Sequence, residues 1–79
     1  MMQTALQVLD REYLEARCAL VELAATLDRI DRAHDHEEGA DAFQDSRLEL
    51  LSEAISLLKE ESHLPNRSER MLLLFSDLD

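Results

Sequence analysis

The sequence predicts an all-α protein in which a long first helix packs antiparallel against a shorter second helix and a short third one, in a dimeric helical bundle. Three observations predict it. Eight apolar positions, Leu6, Leu9, Tyr13, Ala16, Leu20, Leu23, Leu27 and Ile30, recur on an unbroken three-four spacing, the signature of a helix that packs along its length. A second, shorter seam of the same spacing follows at Leu48, Leu51, Ile55 and Leu58. Helix breakers are almost absent, with one Gly and one Pro among 79 residues, both outside the two seams.

The first helix is read from about Gln3 to His34, roughly 45 Å at about 1.5 Å per residue, and is ended by Gly39 and the acidic stretch 35–45. Its apolar arc extends past the seam to Leu14, Val21 and Ala24, covering about 200° where an ordinary amphipathic helix needs little more than about 100°. One partner helix cannot cover that arc. The opposite strip carries Arg11, Glu15, Glu22, Thr26 and Arg29, bordered by Cys18, Ala19 and Ala25. Helix two is read from a capping box, Ser46 with Glu49 three residues on, to about His63; in such a box each side chain satisfies a backbone amide of the first turn. Its seam is widened by Leu50, Ala54 and Leu57 to an arc of about 180°. Leu64 precedes Pro65, which disfavours helix there, and Asn66 with Glu69 repeats the box to open a third helix, Arg67 to about Ser76. Helices two and three, at about 26 and 16 Å, together nearly match helix one. That match suggests helix one as a spine, with the whole of 1–79 forming a single three-helix domain and a second apolar flank left for another subunit.

Composition agrees with this architecture. Hydrophobic residues make up 46% of the chain and charged ones 33%, which describes a folded protein rather than a disordered tail. A chain of this length has a marginal core of its own. Cys18 is the only cysteine, so no disulfide supplements that core, and oligomerisation is expected to do so. A lone thiol fits the cytoplasm. The net charge of −10 divides as −2 over 1–34, −5 over 35–45, −2 over 46–63 and −1 over 64–79. With half of the charge in one short acidic segment and no basic stripe, direct binding to nucleic acid is disfavoured, and an anionic membrane surface would repel the chain. No basic start followed by an apolar core marks a signal peptide, and no apolar run approaches the roughly 20 residues of a membrane span.

Candidate chemistry is sparse. Arg17 lies inside the apolar arc of helix one between Tyr13 and Leu14 on one turn and Leu20 and Val21 on the next. A buried guanidinium needs a carboxylate, and Asp10, Asp28 or Asp31 of a second chain lie on the right flank; an anion-binding role and a snorkelling side chain are the alternatives. His34, His36 and His63, with Asp35, Glu37 and Glu38, are of metal-ligating type, but His63 would lie about 25 Å from His34 along an antiparallel hairpin. No histidine pair at i, i+4 supports a site, and a solvated polar loop is the reading. Cys18 sits between Glu15 and Glu22, neighbours that suppress a thiolate. The carboxylates Glu12, Glu15 and Glu22 lack the paired cluster on a facing helix that a magnesium-dependent hydrolase needs, and Glu49, Glu53 and Glu60 read as solvent-facing. The run Met71 to Phe75 points in nearly every direction of a short helix and calls for burial on several sides, between helices of the dimer or in a partner's groove. Phe43 is read as a plug at the bundle end. No Gly-rich phosphate loop, Ser-His-Asp set or Cys-His pair can be assembled, so no catalytic, cofactor or metal residue is assigned.

The strings Leu27-Asp28-Arg29-Ile30-Asp31-Arg32-Ala33 and Asn66-Arg67-Ser68-Glu69-Arg70, the latter followed by Met71 to Asp77, resemble a family of small uncharacterised bacterial helical proteins with no assigned function. The likeness covers the C-terminal half of helix one and helix three. It implies a bacterial cytoplasmic setting and no reaction, ligand or cofactor. It also points to Asp28, Arg29, Asp31, Arg32, Arg67 and Arg70 as a charged network where helix three or another subunit meets helix one.

The function expected from these readings is that of a non-enzymatic homodimer, an interaction or regulatory module whose acidic segment meets a basic protein surface. Its dimer and packing interface is assigned to Leu6, Leu9, Tyr13, Leu14, Arg17, Leu20, Val21, Leu23 and Leu27 of helix one with Leu72, Leu73 and Phe75 of helix three. The alternative is a ligand-binding protein or enzyme whose pocket forms between subunits near Arg17. A nucleic-acid mimic is a third reading, for which the regularly spaced carboxylates are lacking.

Overall fold

A computed structural model of the chain describes residues 2–37, 44–60 and 65–76, and these hold three helices and no strand. They are α1 (Ala5–Asp35), α2 (Ser46–Lys59) and α3 (Arg67–Ser76). The chain forms two compact units, Met1–Asp41 around α1 and Ala42–Asp79 around α2 and α3.

The start of α1 is fixed by a reciprocal cap. Thr4 is extended, its Oγ1 accepts from the Gln7 amide at 3.1 Å, and the Gln7 Oε1 accepts from the Thr4 amide at 2.9 Å. Two of the otherwise orphaned first-turn donors are satisfied by this exchange, and it places the helix start at Ala5 rather than at Gln3. The Gln3 side chain instead accepts from Arg11 at 2.8 Å, closing the outer side of the first turns. At the far end Arg32 and His34 occupy the last turn, where positive charge is favoured by the helix dipole, and the His36 amide donates back to Ala33 at 3.3 Å. Thr26, a poor helix former, has its hydroxyl engaged: it donates to the Glu22 carbonyl at 3.0 Å and accepts from Arg29 at 2.9 Å. At 31 residues the helix is about 46 Å long.

The second unit departs from the sequence reading at both ends of α2. Its N-cap is Asp45, not Ser46, which is the first helical residue; the Ser46–Glu49 box is therefore not formed, and Glu49 stands in the first turn. Asp45 wins because its carboxylate serves two partners at once. One oxygen accepts from the Arg47 amide at 2.8 Å, and the Arg47 guanidinium grips both oxygens at 3.0 and 3.1 Å. The helix stops at Lys59 instead of running to about His63, because Glu60 is extended (φ −68°, ψ 135°); His63 and Leu64 themselves lie outside the described residues. With its carbonyl turned out of the helix, Glu60 accepts from Arg67 at 3.3 Å. Its carboxylate takes Arg70 at 2.6 Å. The C-terminal end of α2, which attracts cations, is thus held by two arginines from the first turn of α3.

α3 opens with the Arg70 amide bonded to the Asn66 carbonyl at 3.0 Å. The expected Asn66–Glu69 box is absent: Asn66 Oδ1 is buried and has no hydrogen-bond partner among the described residues. The two helices pack against each other, with Ala54 and Leu57 buried between them. These belong to the flank read from the sequence and not to its seam, of which Leu58 is exposed and Leu48, Leu51 and Ile55 are half-buried. Ala54 offers only a methyl group, and a small residue at this point lets a neighbouring helix approach closely. On α3 the half-buried residues are Arg70, Met71, Leu74 and Phe75, one helical face, while Leu72 and Leu73 are exposed.

Two predictions follow from the caps. Thr4→Ala removes one partner of the reciprocal cap and should cost about 1 kcal/mol of α1 stability, whereas Thr4→Ser keeps it; amide exchange of residues 5–8 distinguishes the two. Asp45 is held down to about 2 from 3.8, first by the Arg47 side chain and then by the Arg47 amide. A carboxylate depressed on folding contributes stability that is complete above its unfolded value and lost as pH falls through the folded one. Helicity of wild type should therefore decline between about pH 4 and 2, while Asp45→Asn, which caps equally well without a charge, should lose that component in circular dichroism.

Candidate association surface

No residue of α1 is buried. Leu6, Leu9, Tyr13, Leu14, Leu20 and Val21 are all more than half exposed, from 56% at Leu9 to 66% at Leu6. Further along, Leu23, Leu27 and Ile30 are half-buried. The open part of the apolar arc thus occupies residues 6–21, and it is contiguous because these positions recur three and four apart on one side of a straight helix. Contiguous apolar exposure, unlike scattered leucines, is a feature that calls for an explanation.

Arg17 lies inside this stretch. It is exposed and makes no hydrogen bond or ion pair among the described residues. With Leu14, Cys18, Val21 and Glu22 it lines a shallow groove along α1. Residues at i, i+3, i+4, i+7 and i+8 bound the groove between two side-chain ridges, the feature into which a ridge of a second helix packs. The thiol of Cys18 is free and exposed.

On the second unit, Leu72 and Leu73 form an exposed pair beside the half-buried Phe75. A separate open cleft between α2 and α3 is lined by Ser52, Glu53, Ser56, Leu57, Glu60 and Leu74. It presents two carboxylates and two hydroxyls over a leucine floor, without the convergent acid, base and nucleophile of a hydrolytic site.

Of the charged residues that the sequence analysis grouped into a network with helix one, Arg67 and Arg70 are both on Glu60, and Arg29 is on Thr26. Glu60 is solvent-exposed, as its place on the outer face of helix two implies; the turn that brings residues seven and ten positions later back onto it is not visible in any local pattern. Asp45 was also passed over, although an Asp directly before a helical seam is an N-cap signal.

His34 is half-buried and its Nδ1 lies 3.5 Å from Glu37 Oε2, while His36 is exposed. Among the described residues no three His, Cys, Asp or Glu side chains are grouped so as to hold a metal ion, and no helix is long and apolar enough to cross a membrane. The centre of the acidic segment, 38–43 with Gly39 and Phe43, lies outside the described residues. No protein-family model, curated protein or solved structure matches the chain.

Arg70→Ala should destabilise the α2–α3 pair by about 0.5 kcal/mol, the scale of an exposed ion pair. The difference from wild type should shrink as salt is raised to about 1 M, as read by urea denaturation of the full chain.

Proposed function

We propose that this chain is a non-enzymatic, self-associating helical module: two copies bury the apolar face of α1, and α2 and α3 complete a dimeric bundle in which Leu72, Leu73 and Phe75 pack. The observation that carries the reading is the exposed apolar face from Leu6 to Val21, with Arg17 set into it. Its burial is driven by apolar area at about 25 cal/mol per Å², and inside the described chain only Ala54 and Leu57 form a core. So small a core leaves the larger share of apolar side chains to be covered by association.

The acidic segment 35–45, carrying a charge of −5, then stands as a recognition element for a basic surface on another protein. Charge of one sign concentrated in this way raises encounter rates and selects partners more than it adds affinity. The setting we propose is the bacterial cytoplasm, with no nucleic acid or membrane as direct partner; the net charge of −10 supports this reading. Arg17, without an ion-pair partner among the described residues, is assigned to the interface between copies.

Light scattering over a concentration series tests the reading. Wild type should give twice the monomer mass at micromolar concentration, and Leu20→Asp should reduce it to monomer mass, since a buried unpaired carboxylate is strongly disfavoured. Leu73→Asp should weaken the dimer in the same direction. A well-folded monomer at every concentration overturns the proposal.

A further inference from the structure

We infer that two copies of α1 pair antiparallel in one staggered register, with Asp10 of each copy meeting Arg17 of the other. This deepens the proposed self-association and rests on it. The α1 seam places Tyr13 and Leu20 at a positions and Leu9 and Ala16 at d positions of a heptad. In that frame Asp10, Arg17 and Asp31 take the e position and Glu12 takes g. Flanking charges of this kind decide orientation and register in paired helices.

Three arrangements compete. Antiparallel pairing over the full seam sets Leu6 against Ile30 of the second copy, and it brings Arg17 against the second copy's Arg17 across the two-fold axis. Like charges at that place are repulsive. Parallel in-register pairing sets Glu12 against the second copy's Arg17, which is favourable, but it stacks Tyr13 on Tyr13 and leaves Ala16 facing Ala16, an oversized layer next to an underfilled one. The staggered antiparallel register, with the axis between Leu14 and Glu15, has neither defect. Tyr13 then faces Ala16, so the largest and smallest seam residues share a layer, while Leu9 faces Leu20 and Leu6 faces Leu23 in layers of even size, as close packing favours. Asp10 and Arg17 form two symmetric pairs beside these layers.

Exposure selects the same register independently. The more-than-half-exposed positions of α1 span Leu6 to Val21, and the proposed axis falls near the middle of that stretch. Of the half-buried Leu23, Leu27 and Ile30, only Leu23 lies within the overlap, at its end. Neither Asp10 nor Arg17 has a hydrogen bond or ion pair among the described residues, and both are exposed. The second copy thus supplies the charge that each lacks.

A charge-swap cycle on the full chain tests the register, read as the dimer dissociation constant by sedimentation equilibrium at low salt. Asp10→Lys and Arg17→Glu should each weaken the dimer about tenfold, and the double variant D10K/R17E should return to within about threefold of wild type. A double variant as weak as the singles overturns the register. Rescue of R17E by E12K instead overturns it in favour of the parallel arrangement. Disulfide trapping in a Cys18→Ser background gives a second readout: a mixture of L9C and L20C chains should cross-link to each other, and A16C alone should not cross-link. Self-linked A16C overturns the antiparallel assignment. Should wild type itself stay monomeric throughout, the self-association reading fails; should it dimerise without D10K/R17E rescue, only the register does.

Discussion

The constraint on which the rest of this structure depends is an imbalance between apolar surface and the chain available to bury it. α1 carries an apolar arc wider than one neighbouring helix can cover, and none of its residues is buried. The α2–α3 pair encloses Ala54 and Leu57. Stability of small domains scales with the apolar area they remove from water, and among the described residues much of the apolar surface of α1 is still open. The self-association proposed above is a direct reading of that imbalance.

Within each unit, local polar contacts do what core packing does in larger proteins. Thr4 and Gln7 satisfy each other's backbone amides, Asp45 holds the first turn of α2 with Arg47, and Glu60 gathers Arg67 and Arg70 at the other end. Glu60 is the most consequential of these. Its extended backbone ends α2, its carbonyl and carboxylate receive the start of α3, and its position at the negative pole of α2 makes the arginines favourable where they would otherwise oppose the dipole of their own helix.

The first two helices were legible from spacing, because a 3.6-residue period is a property of consecutive residues, and the third from Pro65 and the residues that follow it. α3 matches its expected bounds of Arg67 to Ser76. What was not legible depended on competition between neighbours. Asp45 and Ser46 are both good caps, and only the reach of the Arg47 guanidinium decides between them. Likewise Asn66 with Glu69 has the letters of a capping box, yet its Oδ1 is buried without a partner among the described residues, and Arg67 and Arg70 turn to Glu60. Burial of Ala54 and Leu57 in place of the seam leucines reflects where α3 lands on α2, which the sequence of α2 alone does not encode. Along α1 the exposure of each seam residue was not legible either: the pattern marks Leu6 and Leu27 alike, whereas Leu6 is open and Leu27 is half-buried.

The length of α1 has a consequence for how any partner is met. Isolated helices shorter than about 12–15 residues are marginal in water, but α1 has 31 residues, with the Thr4–Gln7 box closing its first turn and the His36 amide bonded back onto its last one. Its apolar face is therefore assembled before a partner arrives. Docking onto it brings together a surface that has already lost its backbone freedom, and the ordering cost that weakens disordered recognition segments is absent from the encounter. For the association proposed above, the frequency of collisions and their orientation, rather than the ordering of a disordered segment, are then the terms that set the rate.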